Sequence, residues 1–594
     1  MTSLFEPGRI GPVQVPNRIV MAPMTTRAAD REGFVTAQTL AYYGARARGG
    51  VGLITVEMAS PERCGRHRQH ELGIFDDRFL PGLARLASAI HAEGAKASIQ
   101  LGHAGGHTRP DICGEPPIAP SAIPHLVEEV TTETIIPEPM SKQRIEETTA
   151  HFVAAARRAG AAGFDCVEIH AAHGYLISQF HTPFENRRSD EYGGSLQNRA
   201  RFGLELTRRV KSAVAELGVI YRLTVDDFFP QGLQLEEGLS IAEWAQRSGA
   251  DALHIAAGHY RSLPGTPGMI PPMAWPDAPF LKFAAALKPR VALPVIAVGR
   301  LGDPSTAAAA LRRGACDFVA LGRALLADAE WARKVKTGAP VRACLACNTC
   351  ISGMRGGGAL NCLVNAETGR EAAFAARVPL RGKRIAVIGA GPAGLTYASL
   401  VGGSNEVVVF ERDAWPGGSL RDAGRAPRFQ GVAASRASLA RYVASLEAAC
   451  AHAGVRLRYG VNVAQRPEVL AGFDRLVVAT GADYRLGLGR PLRALLRWGV
   501  ARWPGVRGLF ARPWLLDFLY YRARRPSGAA IARLAPAGTE VVVIGDAAEP
   551  GKSARAIESA FAAAWDGTLG AQRNQAAQPP SDAAKPAATE HETH

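Results

Sequence analysis

Eight short apolar runs rich in β-branched residues recur between residues 19 and 322: IVMAPM (19–24), VGLITVE (51–57), KASIQL (96–101), CVEIHA (166–171), YRLTVD (221–226), ALHIAA (252–257), PVIAVG (294–299) and FVALG (318–322). Each reads as a buried parallel strand. Ala-rich helical stretches, such as 77–95 and 141–162, separate most of them. Strands and helices in this order predict an α/β chain that opens with an N-terminal (β/α)8 barrel over 1–340. An open doubly wound sheet is the alternative.

At 594 residues the chain exceeds one hydrophobic core, so further domains must follow the barrel. The start, MTSLFEPGRIGPVQVPN, has no apolar run behind a basic segment, so no secretory signal is expected. No stretch of ~18 apolar residues predicts a membrane span. A reducing, cytoplasmic location follows as an expectation, and there clustered cysteines bind metal more often than they form disulfides. The formal charge of +15 favours anionic partners: phosphorylated cofactors, nucleic acid or anionic lipid.

Barrel chemistry sits at the C-terminal ends of the strands. Those ends carry Thr25, Gln100, His170 with His173 and Tyr175, Arg222, Gly299 with Arg300, and Gly322 with Arg323. The two Gly-Arg turns follow strands seven and eight, where glycine lets backbone N–H groups approach a phosphate and arginine pairs with it. His170, His173 and Tyr175 form an H-x2-H-x-Y group just past strand four. Two imidazoles can donate to one oxyanion while a phenol donates a proton.

With these motifs, and with LFEPGRIG, NRIVMAPMTT, YYGARARGGVGLITVE, SIQLGHAGG and YGGSLQNRARF, the stretch 3–340 resembles the Old Yellow Enzyme family of FMN-dependent reductases, which are (β/α)8 TIM barrels. The resemblance implies FMN held by Ala22, Pro23, Thr25, Gln100, Arg222, Gly299, Arg300, Gly322 and Arg323. It implies that His170 and His173 hold an electron-withdrawing oxygen of the substrate. Tyr175 would protonate the α-carbon while flavin N5 delivers hydride to the β-carbon. His259, in HIAAGHY after strand six, matches a catalytic histidine of the dienoyl-CoA reductases.

Four cysteines, Cys344, Cys347, Cys350 and Cys362, follow the barrel in a C-x2-C-x2-C-x11-C spacing. A structural zinc and a [4Fe–4S] cluster are both open to four thiolates in this window. The setting, CxxCxxC with its fourth cysteine in NCLVNAETGRE after such a barrel, resembles the family's iron–sulfur branch. That branch includes 2,4-dienoyl-CoA reductase, enoate reductases and trimethylamine dehydrogenase. It implies a [4Fe–4S] cluster within 341–378 that passes single electrons.

Next comes RIAVIGAGPAGLTYASL, a strand–GxGxxG–helix unit with Gly389, Gly391 and Gly394, and Glu411 ends the following strand. This is the grammar of a Rossmann-like domain over 379–483 binding FAD or ADP. The piece 536–569 resembles the end of such a flavin-binding domain, with Asp546 at the position that contacts the FAD ribitol. Long relatives insert an NAD(P)H lobe with its own GxGxxG between these parts. Here 484–535 carries eleven arginines against one acid, Asp517, with Trp498, Trp503 and Trp514. It reads as a helical cap, or as a surface for a membrane or an electron-transfer protein. Nucleic-acid binding is not expected, since no fold-level reader accompanies the arginines. The tail 570–594 is low in apolar content and expected to be disordered.

The expected activity is an FMN-dependent ene-reductase acting on an enoyl-CoA, dienoyl-CoA or enoate, with the cluster and second nucleotide relaying electrons and NAD(P)H as a candidate donor. One alternative is an amine dehydrogenase or demethylase of the trimethylamine dehydrogenase type. Another is an electron-transfer subunit. A homo-oligomer is compatible with either.

Overall fold

The computed structural model describes residues 3–126, 134–260, 268–485, 488–510 and 512–565. The tail 570–594 lies outside them.

Eight parallel strands close a barrel. They are β1 (Ile19–Met21), β2 (Leu53–Ala59), β3 (Lys96–Leu101), β4 (Cys166–Ala171), β5 (Gly218–Thr224), β6 (Ala252–Ala256), β7 (Val295–Val298) and β8 (Phe318–Leu321). The open-sheet alternative is therefore set aside. An antiparallel hairpin, Gly8–Ile10 with Val13–Val15, packs Ile10, Val13 and Val15 against Val20, Leu53, Cys166, Ile220 and Phe318. It plugs the N-terminal end of the barrel and leaves the C-terminal end for chemistry.

Register builds that end. Gln100 lies opposite Glu168, His170 opposite Arg222, and Arg222 opposite His254. Partners in parallel register face the same side of the sheet, so polar groups from β3 to β6 converge in one layer.

After the barrel, the cysteine segment runs into a short helix, Thr349–Arg355. Cys350 belongs to the barrel-side core, and Cys347 to the core of the second domain. That domain holds a five-stranded parallel sheet: β9 (Arg384–Ile388), β10 (Glu406–Glu411), β11 (Arg456–Tyr459), β12 (Arg475–Val478) and β15 (Glu540–Val543), in order β11-β10-β9-β12-β15. The glycine-rich turn leaves β9 at the centre, beside the point where strand order reverses, the expected nucleotide crevice.

Most of the arginine-rich stretch lies between the two strands of an antiparallel pair, β13 (Ala482–Tyr484) with β14 (Arg524–Pro526). Between them lie short helices, including Gly489–Arg497, Pro504–Leu509 and Pro513–Asp517. Among the described residues it contains no second nucleotide-binding sheet. No helix is long and apolar enough to cross a membrane.

Candidate active site

A cavity of about 700 Å³ opens at the C-terminal end of the barrel. Ala22, Pro23, Thr25, Gln100, Arg222, Gly299, Arg300, Gly322 and Arg323 all line it, and so do His170, His173 and Tyr175. The strand ends read from the sequence thus meet in one place. Cys344, Ile351 and Met354 of the cysteine segment form part of the wall, and Arg441 and Ser445 of the second domain another.

Beneath the cavity Glu168 is fully buried. Its carboxylate accepts from Gln100 Nε2 at 2.7 Å and from His254 Nδ1 at 2.7 Å, with Arg222 Nη1 3.7 Å away. Burial pushes its carboxyl up, but His254, Arg222 and Gln100 outweigh burial and hold it below the usual range. This anion fixes the Gln100 amide and counterbalances Arg222. Arg222 Nε is buried with no protein partner, a donor placed to meet an acceptor edge of a ring in the cavity.

At the phosphate end Gly299 has φ +106, and a Cβ there would strike the Phe280 ring at 2.7 Å. Arg300 donates to Asp277 Oδ1 at 2.8 Å, and Asp277 Oδ2 accepts from Arg441 of the second domain at 2.8 Å. Arg323 donates to Asn348 in the cysteine segment and to Pro271 O at 2.8 Å. Both guanidiniums are braced at the cavity edge. With the buried Arg222 donor, the glycine turns and the braced arginines, the residues present fit FMN.

His170 and His173 stand edge to face, 5.4 Å between ring centroids. Burial, then Arg222, holds both far below the ordinary imidazole value. Neutral imidazoles can donate hydrogen bonds without bringing charge, and His170 Nδ1 has no partner in the protein. Tyr175 Oη lies 3.0 Å from His67 Nδ1 and 3.2 Å from Tyr260 Oη. Burial and then Tyr260 raise Tyr175 well above the ordinary phenol, so it keeps its proton.

His259 and Asp546 both lie in ion pairs with other protein groups. His259 does not line the cavity: it is buried, its Nε2 3.2 Å from Glu185 Oε2. The neighbouring Tyr260 takes the place beside Tyr175, its ring stacked on His107 at 4.0 Å. Burial would raise Tyr260, but Arg68 and Arg355 overcome it and lower its pKa. Asp546 is likewise held by the protein. It pairs with the buried Arg524 of β14, and its Oδ1 accepts from Gly551 N at 3.0 Å.

In the second domain Gly389 has φ +109, and a Cβ on Gly394 would lie 2.0 Å from Gly389 O. Gly391 instead faces open space, at the start of the helix Pro392–Val401. Glu411 accepts from Ala390 N at 2.8 Å and from Asp413 N at 2.9 Å, which holds it beside the glycine turn. These residues fit a nucleotide diphosphate lying across the helix N-terminus.

The four thiols are free of disulfides. Among the described residues, the trio of His, Cys, Asp or Glu ligand atoms within 4.8 Å of one another is Glu62, Cys64 and His103. Four thiolates gathered in this segment fit an inorganic core with one iron per thiolate. The Glu62 trio is a charge network: Arg144 Nη2 donates to Glu62 at 2.6 Å and to Cys64 Sγ at 3.1 Å, and Gly105 N donates to His103 Nδ1 at 2.9 Å.

A family model described as NADH:flavin oxidoreductase / NADH oxidase matches residues 3–342, more than half of the chain. The chain belongs to the NADH:flavin oxidoreductase family. It is a flavin-dependent oxidoreductase, and FMN is the cofactor of its barrel. Among family members, an NADH oxidase of Thermoanaerobacter brockii is 38% identical over 495 residues, 81% of this chain and 73% of that one. A cinnamate reductase of Clostridium sporogenes is 31% identical over 509 residues, 81% of this chain and 74% of that one. The structure of a 2-naphthoyl-CoA reductase, complexed with 2-naphthoyl-CoA, has a TM-score of 0.81 at 23% identity. It covers 94% of this chain and 98% of that one, and carries the likeness of fold beyond the barrel.

Proposed function

We propose that this flavin-dependent oxidoreductase reduces a C=C bond conjugated to a carbonyl, in an enoate or an acyl thioester. The observation that supports it most is the convergence of neutral His170 and His173 with protonated Tyr175 on the cavity that holds the FMN-site residues. The imidazoles hold the substrate oxygen and stabilise the negative charge that grows there. Tyr175 Oη gives its proton to the α-carbon. The bound flavin supplies the hydride and the cluster supplies single-electron transfer.

Cys344, Cys347, Cys350 and Cys362 are the ligands of that [4Fe–4S] cluster in this reading, beside the flavin cavity. Gly389, Gly391, Gly394 and Glu411 hold the second nucleotide, FAD or ADP. Asp546 serves it through the Arg524 pair rather than by itself. The relative named a cinnamate reductase supports the same substrate class.

An amine substrate fits less well. Arg68 and Arg222 line the cavity, and Arg355 stands 5.7 Å from the Tyr260 ring centroid. The Asp277 carboxylate is bound to Arg300 and Arg441. A cationic amine would meet like charge, whereas a carboxylate or thioester oxygen would meet donors.

The test is anaerobic. Dithionite-reduced protein is mixed with cinnamate or crotonyl-CoA, and oxidised protein with dimethylglycine. Reoxidation by the unsaturated acids with saturated product supports the reading. Bleaching by the amine, with no reoxidation by either acid, overturns it.

A further inference from the structure

The segment 484–535 has a bound side and a bare side. On the bound side Ala501, Ala523 and Arg524 are buried. Arg502 Nη2 donates to Gly424 O at 2.9 Å and its Nε to Arg425 O at 3.2 Å. Arg493 and Arg497, one turn apart, reach Asp422 at 3.9 and 4.0 Å. The segment is therefore seated on the second domain.

On the bare side Trp498, Trp503 and Trp514 are 78%, 59% and 63% exposed. Leu509, Phe518 and Tyr521 are exposed with them. Six of the ten large apolar side chains exposed among the described residues fall in this stretch. Arg507, Arg512, Arg522 and Arg525 are exposed as well. Among the described residues no carboxylate lies within ion-pairing distance of them, and Asp517 is the lone acid of the segment. A cap serving only to cover the domain would turn its tryptophans inward and leave its charges mixed. Here the apolar bodies and the single-sign charge both face outward, an arrangement that pure solvent does not reward.

We propose that this surface docks on an anionic lipid bilayer, as a peripheral and not a spanning contact. Tryptophan and tyrosine are favoured at the headgroup level, where an apolar ring meets water. Arginines are drawn to anionic headgroups by the negative surface potential. The longest helix here, Gly489–Arg497, has nine residues, far short of the hydrocarbon thickness. Both halves of the pattern, rings and like charges, are then used by one partner.

Flavin- and iron-loaded full-length protein is sedimented with vesicles of phosphatidylcholine alone, or with 30% phosphatidylglycerol. The expected result is binding to the anionic vesicles only, weakening as salt rises. A Trp498→Ser/Trp503→Ser/Trp514→Ser variant should lose it. An Arg507→Gln/Arg512→Gln/Arg522→Gln variant should bind about 100-fold more weakly. Retained flavin content and unchanged turnover show that each variant is folded. Sedimentation no greater with anionic vesicles than without them overturns the proposal. So does a tryptophan variant that binds like the parent, which would point to a soluble polyanion such as an acidic protein or RNA.

Discussion

The phenolic oxygens of Tyr175 and Tyr260 stand 3.2 Å apart, with His67 Nδ1 3.0 Å from the first. Burial keeps Tyr175 protonated, while Arg68 and Arg355 outweigh burial to lower Tyr260. The pair therefore loses its first proton from the Tyr260 side, below the ordinary phenol value, and Tyr175 is then captured as a donor to that phenolate. Tyr260→Phe should move the alkaline limb of the pH–kcat profile to higher pH. A limb that stays put would remove Tyr260 from the proton chemistry.

The cysteine segment should bind iron. Cys347→Ala should lose iron and acid-labile sulfide yet keep FMN, because the nine flavin-site residues of the cavity come from the barrel itself. Elemental analysis that finds zinc in the parent protein would contradict the cluster.

Arg524 and Asp546 form a pair of which neither side chain is more than 14% exposed. Arg524→Ala leaves the carboxylate without its cation, at a cost of about 3 kcal/mol. The unfolding transition of the second domain should fall accordingly, and Arg524→Ala/Asp546→Asn should recover part of the loss. A double variant no more stable than the single one would mean that the pair is not the cause.

Glu57 of β2 is buried and accepts from Thr26 N at 2.7 Å. Burial, only partly opposed by the Thr26 bonds, pushes its carboxyl up to about 8. A folded value above the unfolded one means that its contribution is fully present below about pH 4.5 and is lost as pH rises through about 8. Glu57→Gln stays neutral, so its Tm should decline less than the parent's across that window. Parallel Tm profiles would show that Glu57 ionises freely in the native state.

The barrel was legible because its strands are buried on both faces and so read as short, mostly apolar runs at regular spacing between helical stretches. Lys96–Leu101 and Cys166–Ala171 coincide with the runs KASIQL and CVEIHA. The cavity residues were legible as far as strand ends can be read. Glu168 was missed although a signal existed: it sits two residues before His170 on a strand, hence on the same face. His67 and Arg68 could not be read this way. They reach Tyr175 and Tyr260 from a loop more than one hundred residues distant in sequence, and only the closed barrel brings them together. Tyr260, the residue after His259, carried no sequence signal: Glu185 pairs with the histidine, and it is the structure that places the Tyr260 hydroxyl beside Tyr175.

In the proposed reaction Tyr175 delivers the proton while His170 and His173 hold the substrate oxygen. The most direct measurement is single-turnover reoxidation of the reduced protein by an unsaturated acid in D2O, for the parent and for Tyr175→Phe. The expected result is deuterium at the α-carbon and reoxidation slowed roughly 10²-fold in the variant, with flavin reduction unchanged. Equal reoxidation rates in the two proteins would contradict it.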